Sequence, residues 1–144
     1  MEQMTAIPQG WSEADFVLSP EEVLFSVDKI PILSIMRSQT GIRYAVFAVD
    51  ETDDSMIYVC APISELGVER LKQSEITLHE VVVRTPNGDN EVLVVVRSFG
   101  NTPVTQETHV VKAWELPDAW IPEPGFTLGF LKTVFKNGPR QVLQ

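Results

Sequence analysis

The sequence predicts a single-domain α+β protein with a mainly antiparallel sheet of five or six strands. One clear helix follows Ser64, and a short helix closes the chain. Two observations carry this prediction. Apolar segments of strand length alternate with short turns between residues 30 and 61, and a capped segment of helical spacing follows them. At 144 residues with 44% hydrophobic side chains, the chain is long enough to bury one core without metal or disulfide.

The first half of the chain reads as strands separated by turns. Ser19-Pro20-Glu21-Glu22 has the pattern of a helix start, so we expect at most one helical turn there and extended chain after it. Residues 32–37 and 42–49 predict two strands, since the loop between them contains Gly41 and has hairpin length. An acidic turn over 50–55 then leads into a strand over 56–61.

The middle of the chain predicts the main helix. Ser64 can cap a helix beginning at Glu65, and Leu66, Val68 and Leu71 are expected to form its apolar stripe. A second helical turn is expected over 74–80, with Ser74 and Thr77 as alternative caps. Extended chain is expected from Val81 to Arg84.

The second half predicts two further strands and a final helix. The turn at 86–89 contains Asn87-Gly88, a pair that readily supplies two positive φ angles. The uninterrupted apolar run within the strand over 91–98 is typical of a central strand covered on both faces. Another strand is expected over 109–114, and three prolines make 115–125 irregular. Helical spacing returns over 126–136.

These elements divide the chain into three parts. Residues 1–21 are expected to be an irregular N-terminal segment and residues 22–125 the α+β domain. Residues 126–144 form an apolar, basic tail. This tail is expected to pack on the domain or on a partner, and a second copy of the chain is one such partner.

Charge and composition exclude several classes of partner. The net charge is −9, with 20 acidic and 8 basic residues through Glu123 and only three charged residues, all basic, after it. Nucleic acid and anionic membrane are both polyanions, so neither is an expected partner. The single cysteine, the start MEQMTAIPQGW without a signal-peptide pattern and the short apolar runs predict a soluble, cytoplasmic protein.

The order of these pieces resembles a widespread bacterial domain family of unknown function. The features that carry the resemblance run from PILSI after the turn at Pro31, through GIRYAVFAVD, DETDD, Ala61-Pro62-Ile63-Ser64, Glu69-Arg70-Leu71 and Ser74-Glu75-Ile76-Thr77-Leu78-His79-Glu80, to Leu116-Pro117 and Pro122-Glu123-Pro124-Gly125. The resemblance implies a compact bacterial α+β domain and no activity. The chain departs from the pattern at Lys29-Ile30, where a glycine turn is expected, and in its apolar tail.

The acidic turn is the first candidate site. Asp50, Glu51, Asp53 and Asp54 supply carboxylates that could bind Ca²⁺ or Mg²⁺. A calcium loop of the EF-hand type needs alternating ligands, a central glycine and a distal glutamate, and this turn has Thr52 at a ligand position and no glycine. We therefore predict a solvated hairpin turn and no metal site.

Catalytic residues and cofactors are not predicted. His79 and His109 are thirty residues apart without metal-ligand neighbours. Cys60 lies in an apolar strand, where a thiol is usually inert. Ser64 and Ser74 are better explained as helix caps. No nucleophile-elbow, phosphate-binding or dinucleotide motif occurs in the sequence.

The remaining candidates are partner-binding residues. Trp114 and Trp120 flank a proline-containing stretch and either form a recognition surface or cover the core. Together with Asp50, Glu51, Asp53 and Asp54, they are the predicted partner-binding set. The predicted function is a non-enzymatic protein-interaction or regulatory domain. Two alternatives remain open: an acidic immunity protein that blocks a basic toxin or nuclease, and a small-ligand binder or enzyme with a site assembled from distant residues.

Overall fold

The computed structural model describes residues 18–28, 30–99 and 105–137. The described strands and helices follow in chain order: β1 (Leu18–Val27), β2 (Ile30–Ser38), β3 (Arg43–Glu51), β4 (Ser55–Pro62), α1 (Glu65–Lys72), α2 (Leu78–Val82), β5 (Glu91–Ser98), β6 (Thr105–Lys112) and α3 (Leu128–Asn137). Short 3-10 turns lie at Ala113–Glu115 and Asp118–Trp120. In this part of the chain, no helix is long and apolar enough to cross a membrane.

The six strands form one antiparallel sheet in which spatial order follows chain order. Hairpin-type connections join β1 to β2, β2 to β3 and β3 to β4, whereas α1 and α2 lie between β4 and β5. The predicted α+β fold with a mainly antiparallel sheet is confirmed.

The start of the sheet differs from its prediction. Ser19-Pro20-Glu21-Glu22 belongs to β1, so the helical turn expected there is wrong and the strand crosses the expected boundary at residue 21. Pairing with β2 decides the conformation, because Leu18 lies opposite Ser38 and Glu22 opposite Ile35. The rest of the predicted irregular segment lies outside the described residues.

Helix α1 begins as the sequence indicates. The Ser64 hydroxyl accepts a hydrogen bond from the Gly67 N–H at 3.0 Å, which satisfies one free donor of the first turn. Val68 and Leu71 are buried, but Leu66 is 60% exposed. The prediction that Leu66 belongs to the apolar stripe was wrong. Leu66 lies two residues before Val68, and residues two apart on a helix point about 200° apart around the axis.

Two ion pairs anchor α1 to the sheet. At its start, Glu65 lies 3.5 Å from the Arg43 guanidinium, and at its end Lys72 lies 3.0 Å from Glu22. Glu21 accepts hydrogen bonds from both Arg43 and Arg37 at 2.9 Å. The hydrogen bond from Arg43, aided by the charge of Arg37, holds the pKa of Glu21 below its usual value.

The segment between α1 and α2 resolves the choice between two caps. Thr77 caps α2, and Glu80 completes the capping box by accepting from the Thr77 N–H at 2.9 Å. Helix α2 continues through Val82, so the extended chain expected from Val81 was wrong for its first two residues. Ser74 instead accepts from the Gly129 N–H at 2.8 Å and so holds the first turn of α3.

The turn before β5 also differs in detail from its prediction. Of the pair Asn87-Gly88, only Gly88 has a positive φ, at 68°. Its N–H donates to the Thr85 carbonyl at 3.0 Å. This local turn ends the helical crossover, by which we mean the connection from β4 to β5 that contains α1 and α2. It does not need the two positive φ angles of a tight hairpin.

Apolar side chains are buried on both faces of the sheet. The main core lies between one face and the helices and includes Leu33, Phe47, Val59, Leu71 and Val92. A second cluster on the other face contains Tyr44, Val46, Cys60, Leu93, Val95 and Val110. Burial on both sides explains the continuous apolar run in β5, which lies between β4 and β6 as expected of a central strand.

Helix α3 packs against the domain at its first turn. Leu128 is buried within the main core and Leu131 packs against it. The predicted helix over 126–136 is therefore present as Leu128–Asn137. The rest of the predicted tail, residues 138–144, lies outside the described residues.

Candidate functional site: an acidic end of the sheet

The antiparallel strand order brings three connections to one end of the sheet. β1, β3 and β5 end there, and β2, β4 and β6 begin there. We call this region, formed by Asp28, Ile30 and the segments 50–54 and 97–99, the turn end. The loop from β2 to β3, the helical crossover and the 3-10 turns after β6 lie at the opposite end of the strands.

The acidic turn is held in shape by its own polar groups. The Thr52 N–H donates to the Ser55 carbonyl at 2.9 Å, and the Thr52 hydroxyl lies 3.2 Å from Asp54 Oδ1. Asp50 Oδ1 accepts from the Glu51 N–H at 2.8 Å. These bonds use one oxygen each of Asp50 and Asp54, and all four acidic side chains of the turn are exposed.

A fifth carboxylate adds to the negative charge at the turn end. Asp28, in the turn between β1 and β2, is also exposed and has a φ of 52°. The ion pairs formed among the described residues use other acids, namely Glu21, Glu22, Glu65, Glu91 and Glu107. The charge of Asp28 and of the acidic turn is thus not cancelled by a salt bridge within the described part of the chain.

Two large apolar side chains flank these carboxylates. Phe99 is 47% exposed, and its N–H donates to the Asp54 carbonyl at 2.6 Å. The Arg97 guanidinium lies 5.8 Å from the centre of the Phe99 ring, within the range of a cation–π contact. Ile30 is 51% exposed at the start of β2. The turn end therefore combines negative charge with exposed apolar surface.

The geometry does not gather these carboxylates around one point. No group of three or more His, Cys, Asp or Glu side chains that could hold a metal ion occurs among the described residues. A Ca²⁺ ion needs six to eight converging oxygen ligands. The separated carboxylates are instead suited to attracting a partner that carries several positive charges.

The predicted partner-binding residues fall into two separate groups. Asp50, Glu51, Asp53 and Asp54 lie at the turn end, whereas Trp114 and Trp120 follow β6 at the opposite end of the strands. Trp114 is 62% exposed. Trp120 is partly buried and packs against the main core. The structure does not bring the two tryptophans and the acidic turn into one surface.

Three residues of the turn end were not among the predicted site residues, namely Asp28, Ile30 and Phe99. Each belongs to a different strand connection from the acidic turn. A strict up-and-down strand order, assumed from the sequence, would have placed all three connections at the same end. The succession of strands along the chain is compatible with this placement, but the pairing that fixes the strand order is a property of the tertiary structure.

The cysteine and the two histidines do not form a reactive pair. Cys60 is buried in the second cluster, whereas α2, which carries His79, packs on the other face of the sheet. His79 Nδ1 lies 2.9 Å from the Pro122 carbonyl, and His109 Nε2 lies 2.9 Å from Glu107. His109 pairs across the ladder with Val94, a main-core residue, so it also faces away from Cys60.

We expect the Cys60 thiol to be unreactive in the folded protein. Burial raises its pKa from 9.0 to about 12, and the thiolate is the reactive form. A coloured thiol reagent at mildly alkaline pH should label the folded chain only as fast as it unfolds, and one thiol per chain at once in denaturant. Rapid labelling of the native protein would contradict this expectation.

The same shift gives a pH dependence of stability. The folded pKa of Cys60 is raised, so the stability contributed by this group is complete below the unfolded pKa and declines as the pH rises from about 9 toward about 12. Cys60→Ala should be less stable at neutral pH but should lose less stability over that alkaline range. Urea titrations of both proteins at several pH values would measure the difference.

Comparison of the chain with protein-family models, with curated proteins and with solved structures finds no match. The resemblance to a bacterial domain family therefore stays a prediction.

Proposed function

We propose that this protein is a non-enzymatic interaction domain that binds a basic surface of another protein through the turn end of its sheet. The observation that carries the proposal is the grouping of five exposed carboxylates without salt-bridge partners in the described structure, next to exposed Phe99 and Ile30.

The two kinds of side chain support different parts of binding. The five carboxylates of the turn end outnumber its one described cation, Arg97. Such an excess of charge of one sign attracts an oppositely charged partner over about one Debye length, roughly 8 Å at physiological salt, and raises the association rate. A few side chains at the centre of a protein interface, aromatic ones prominent among them, supply most of the binding free energy once they are buried. Phe99 is suited to this second part because its N–H is tied to the acidic turn at Asp54.

The test uses the immobilised chain as bait in a bacterial lysate, with three matched proteins. The first is the wild type. The second carries Asp50→Asn, Glu51→Gln, Asp53→Asn and Asp54→Asn, which remove the charges and keep side-chain oxygens to accept the hydrogen bonds of the turn. The third carries the same charge change at exposed acids elsewhere, namely Glu69→Gln, Glu75→Gln, Asp118→Asn and Glu123→Gln.

We expect the wild type and the third protein to capture a basic protein from the lysate. The amount captured by the second protein should be at least tenfold lower. Added salt should weaken its capture by the wild type. Phe99→Ala should also reduce capture, without changing the salt dependence. Equal loss from the second and third proteins would show that only total charge matters and would overturn the proposal. A captured nuclease or toxin would favour the immunity form of this function.

A further inference from the structure

The second apolar cluster is buried, although none of the described helices lies over it. We call the face of the sheet that carries this cluster the second face. Tyr44 and Leu93 are 0% exposed there, and Cys60 is 1% exposed. A sheet face reaches such burial only when another layer packs on it, because side chains of one face cover their neighbours only from the side. The second face therefore has a cover.

The described helices do not supply this cover. The buried side chains described in α1, α2 and α3 all belong to the main core, on the other face of the sheet. Within residues 18–28, 30–99 and 105–137, the side chains of the second cluster and those packed against it come from the six strands and from Ile42 in the turn before β3. The cover therefore comes from the remaining segments of the chain or from another molecule.

The buried area extends across the sheet from β1 to β6. Leu18, at the start of β1, packs against the second cluster, and Val110 of β6 belongs to it. Thr108 and Val110 are buried as whole residues, main chain included, so the cover reaches the edge at β6. Val23, which faces the same side from the middle of β1, is exposed. The cover thus meets β1 near its start and leaves the middle of that strand open.

The segment that directly precedes Leu18 is suited to form this cover. It has 17 residues and is joined to a side chain that already packs on the second cluster. Its large apolar side chains are those of Met1, Met4, Ile7, Trp11, Phe16 and Val17. From β1 to β6 the sheet measures five strand spacings, or about 24 Å. A chain of 17 residues spans about 26 Å when helical and up to about 56 Å when extended, so the segment can reach β6.

The other two segments are less suited. Residues 100–104 join β5 to β6 at the turn end, so both of their ends are fixed there, whereas Tyr44 lies at the opposite end of the strands. Residues 138–144 follow α3, whose Leu128 packs in the main core on the other face. They contain only two large apolar side chains, Val142 and Leu143.

We propose that residues 1–17 lie across the second face from the start of β1 to β6 and bury the second cluster. Trp11 has the largest side chain of the segment and is seven residues from Leu18. Along this path it lies about 10 Å from Leu18 if the chain between them is helical and about 23 Å if it is extended. Both distances place it over the strands from β3 to β6. The segment also shields the edge of β6 from pairing with other chains.

The first test places the photo-crosslinking residue benzoylphenylalanine in the full chain in place of Trp11. After irradiation, peptide mapping by mass spectrometry should find crosslinks within the same chain, to the second face of β3 to β6. The matched control carries benzoylphenylalanine in place of Phe130, an exposed residue of α3, and should give no crosslinks to that face. Crosslinks from position 11 to the helices or to a second copy, or none to the second face, would overturn the proposal.

Cys60 gives a second measurement, because its thiol is buried on the second face. Trp11→Glu with Phe16→Glu places two charges in the proposed cover and should speed thiol labelling of the folded full chain about tenfold or more. Trp114→Glu with Phe130→Glu makes the same change at exposed side chains and should leave the rate unchanged. Circular dichroism would report whether each variant folds.

The urea dependence of labelling separates a lifted cover from global unfolding. Labelling through a lifted cover should depend only weakly on urea, whereas labelling through global unfolding rises steeply with it. An unchanged rate in the variant with Trp11→Glu and Phe16→Glu, or a faster rate that rises with urea as steeply as that of the wild type, would overturn the proposal. If this variant does not fold, the crosslinks decide. Neither result bears on the turn end.

Discussion

Leu71→Ala is expected to lower the free energy of unfolding by about 2–5 kcal/mol. Leu71 belongs to α1, is fully buried and packs in the main core. Its truncation removes buried apolar contacts and leaves a cavity that the sheet and the neighbouring helix fill only in part. Urea denaturation followed by circular dichroism would measure the loss as a lower midpoint with an unchanged slope.

The same helix offers a matched control. Leu66→Ala makes an identical chemical change five residues earlier, at a side chain that is 60% exposed. We expect a change within about 0.5 kcal/mol, since neither a cavity nor a buried contact is involved. Similar losses from the two variants would contradict the orientation of α1, because that orientation places Leu71 inward and Leu66 outward.

Gly88→Ala is expected to destabilise the fold by about 2 kcal/mol or more. Gly88 has a φ of 68°, and a Cβ atom there would lie 3.1 Å from the Trp114 main-chain nitrogen and 3.2 Å from its Cβ. A side chain in left-handed conformation costs about 1–2 kcal/mol. The close contact adds to this cost, because the Trp114 main chain is itself fixed by its N–H bond to the Gly88 carbonyl at 3.1 Å.

Gly41→Ala separates the two contributions. Gly41 has a φ of 95°, but nothing lies within 4 Å of the position of a Cβ atom there. Its substitution should cost about 1 kcal/mol, from the backbone conformation alone. Thermal and urea unfolding of both variants would give the difference. A cost at Gly88 no larger than at Gly41 would mean that the turn moves away from Trp114 freely.

Local sequence patterns were enough to predict most strands and the cap at Ser64. The hairpin of β2 and β3, the strand ending at Pro62 and the cap at Ser64 depend on residues adjacent in the chain. Errors arose where contacts distant in sequence outweigh a local signal. The helical turn expected at Ser19 is strand because β2 provides main-chain partners. The choice between Ser74 and Thr77 as caps, which the sequence left open, also depends on a distant contact, since the Ser74 hydroxyl accepts from the Gly129 N–H of α3.

The sequence by itself determined the fold class, the position of the acidic turn and the burial of Cys60 within an apolar strand. These depend on side-chain periodicity and turn chemistry, which are local properties. The tertiary structure alone decided that Asp28, Ile30 and Phe99 lie at the same end as the acidic turn, and that Trp114 and Trp120 do not. The physical reason is that strand order and direction are set by pairing between distant segments, and this pairing decides which connections meet.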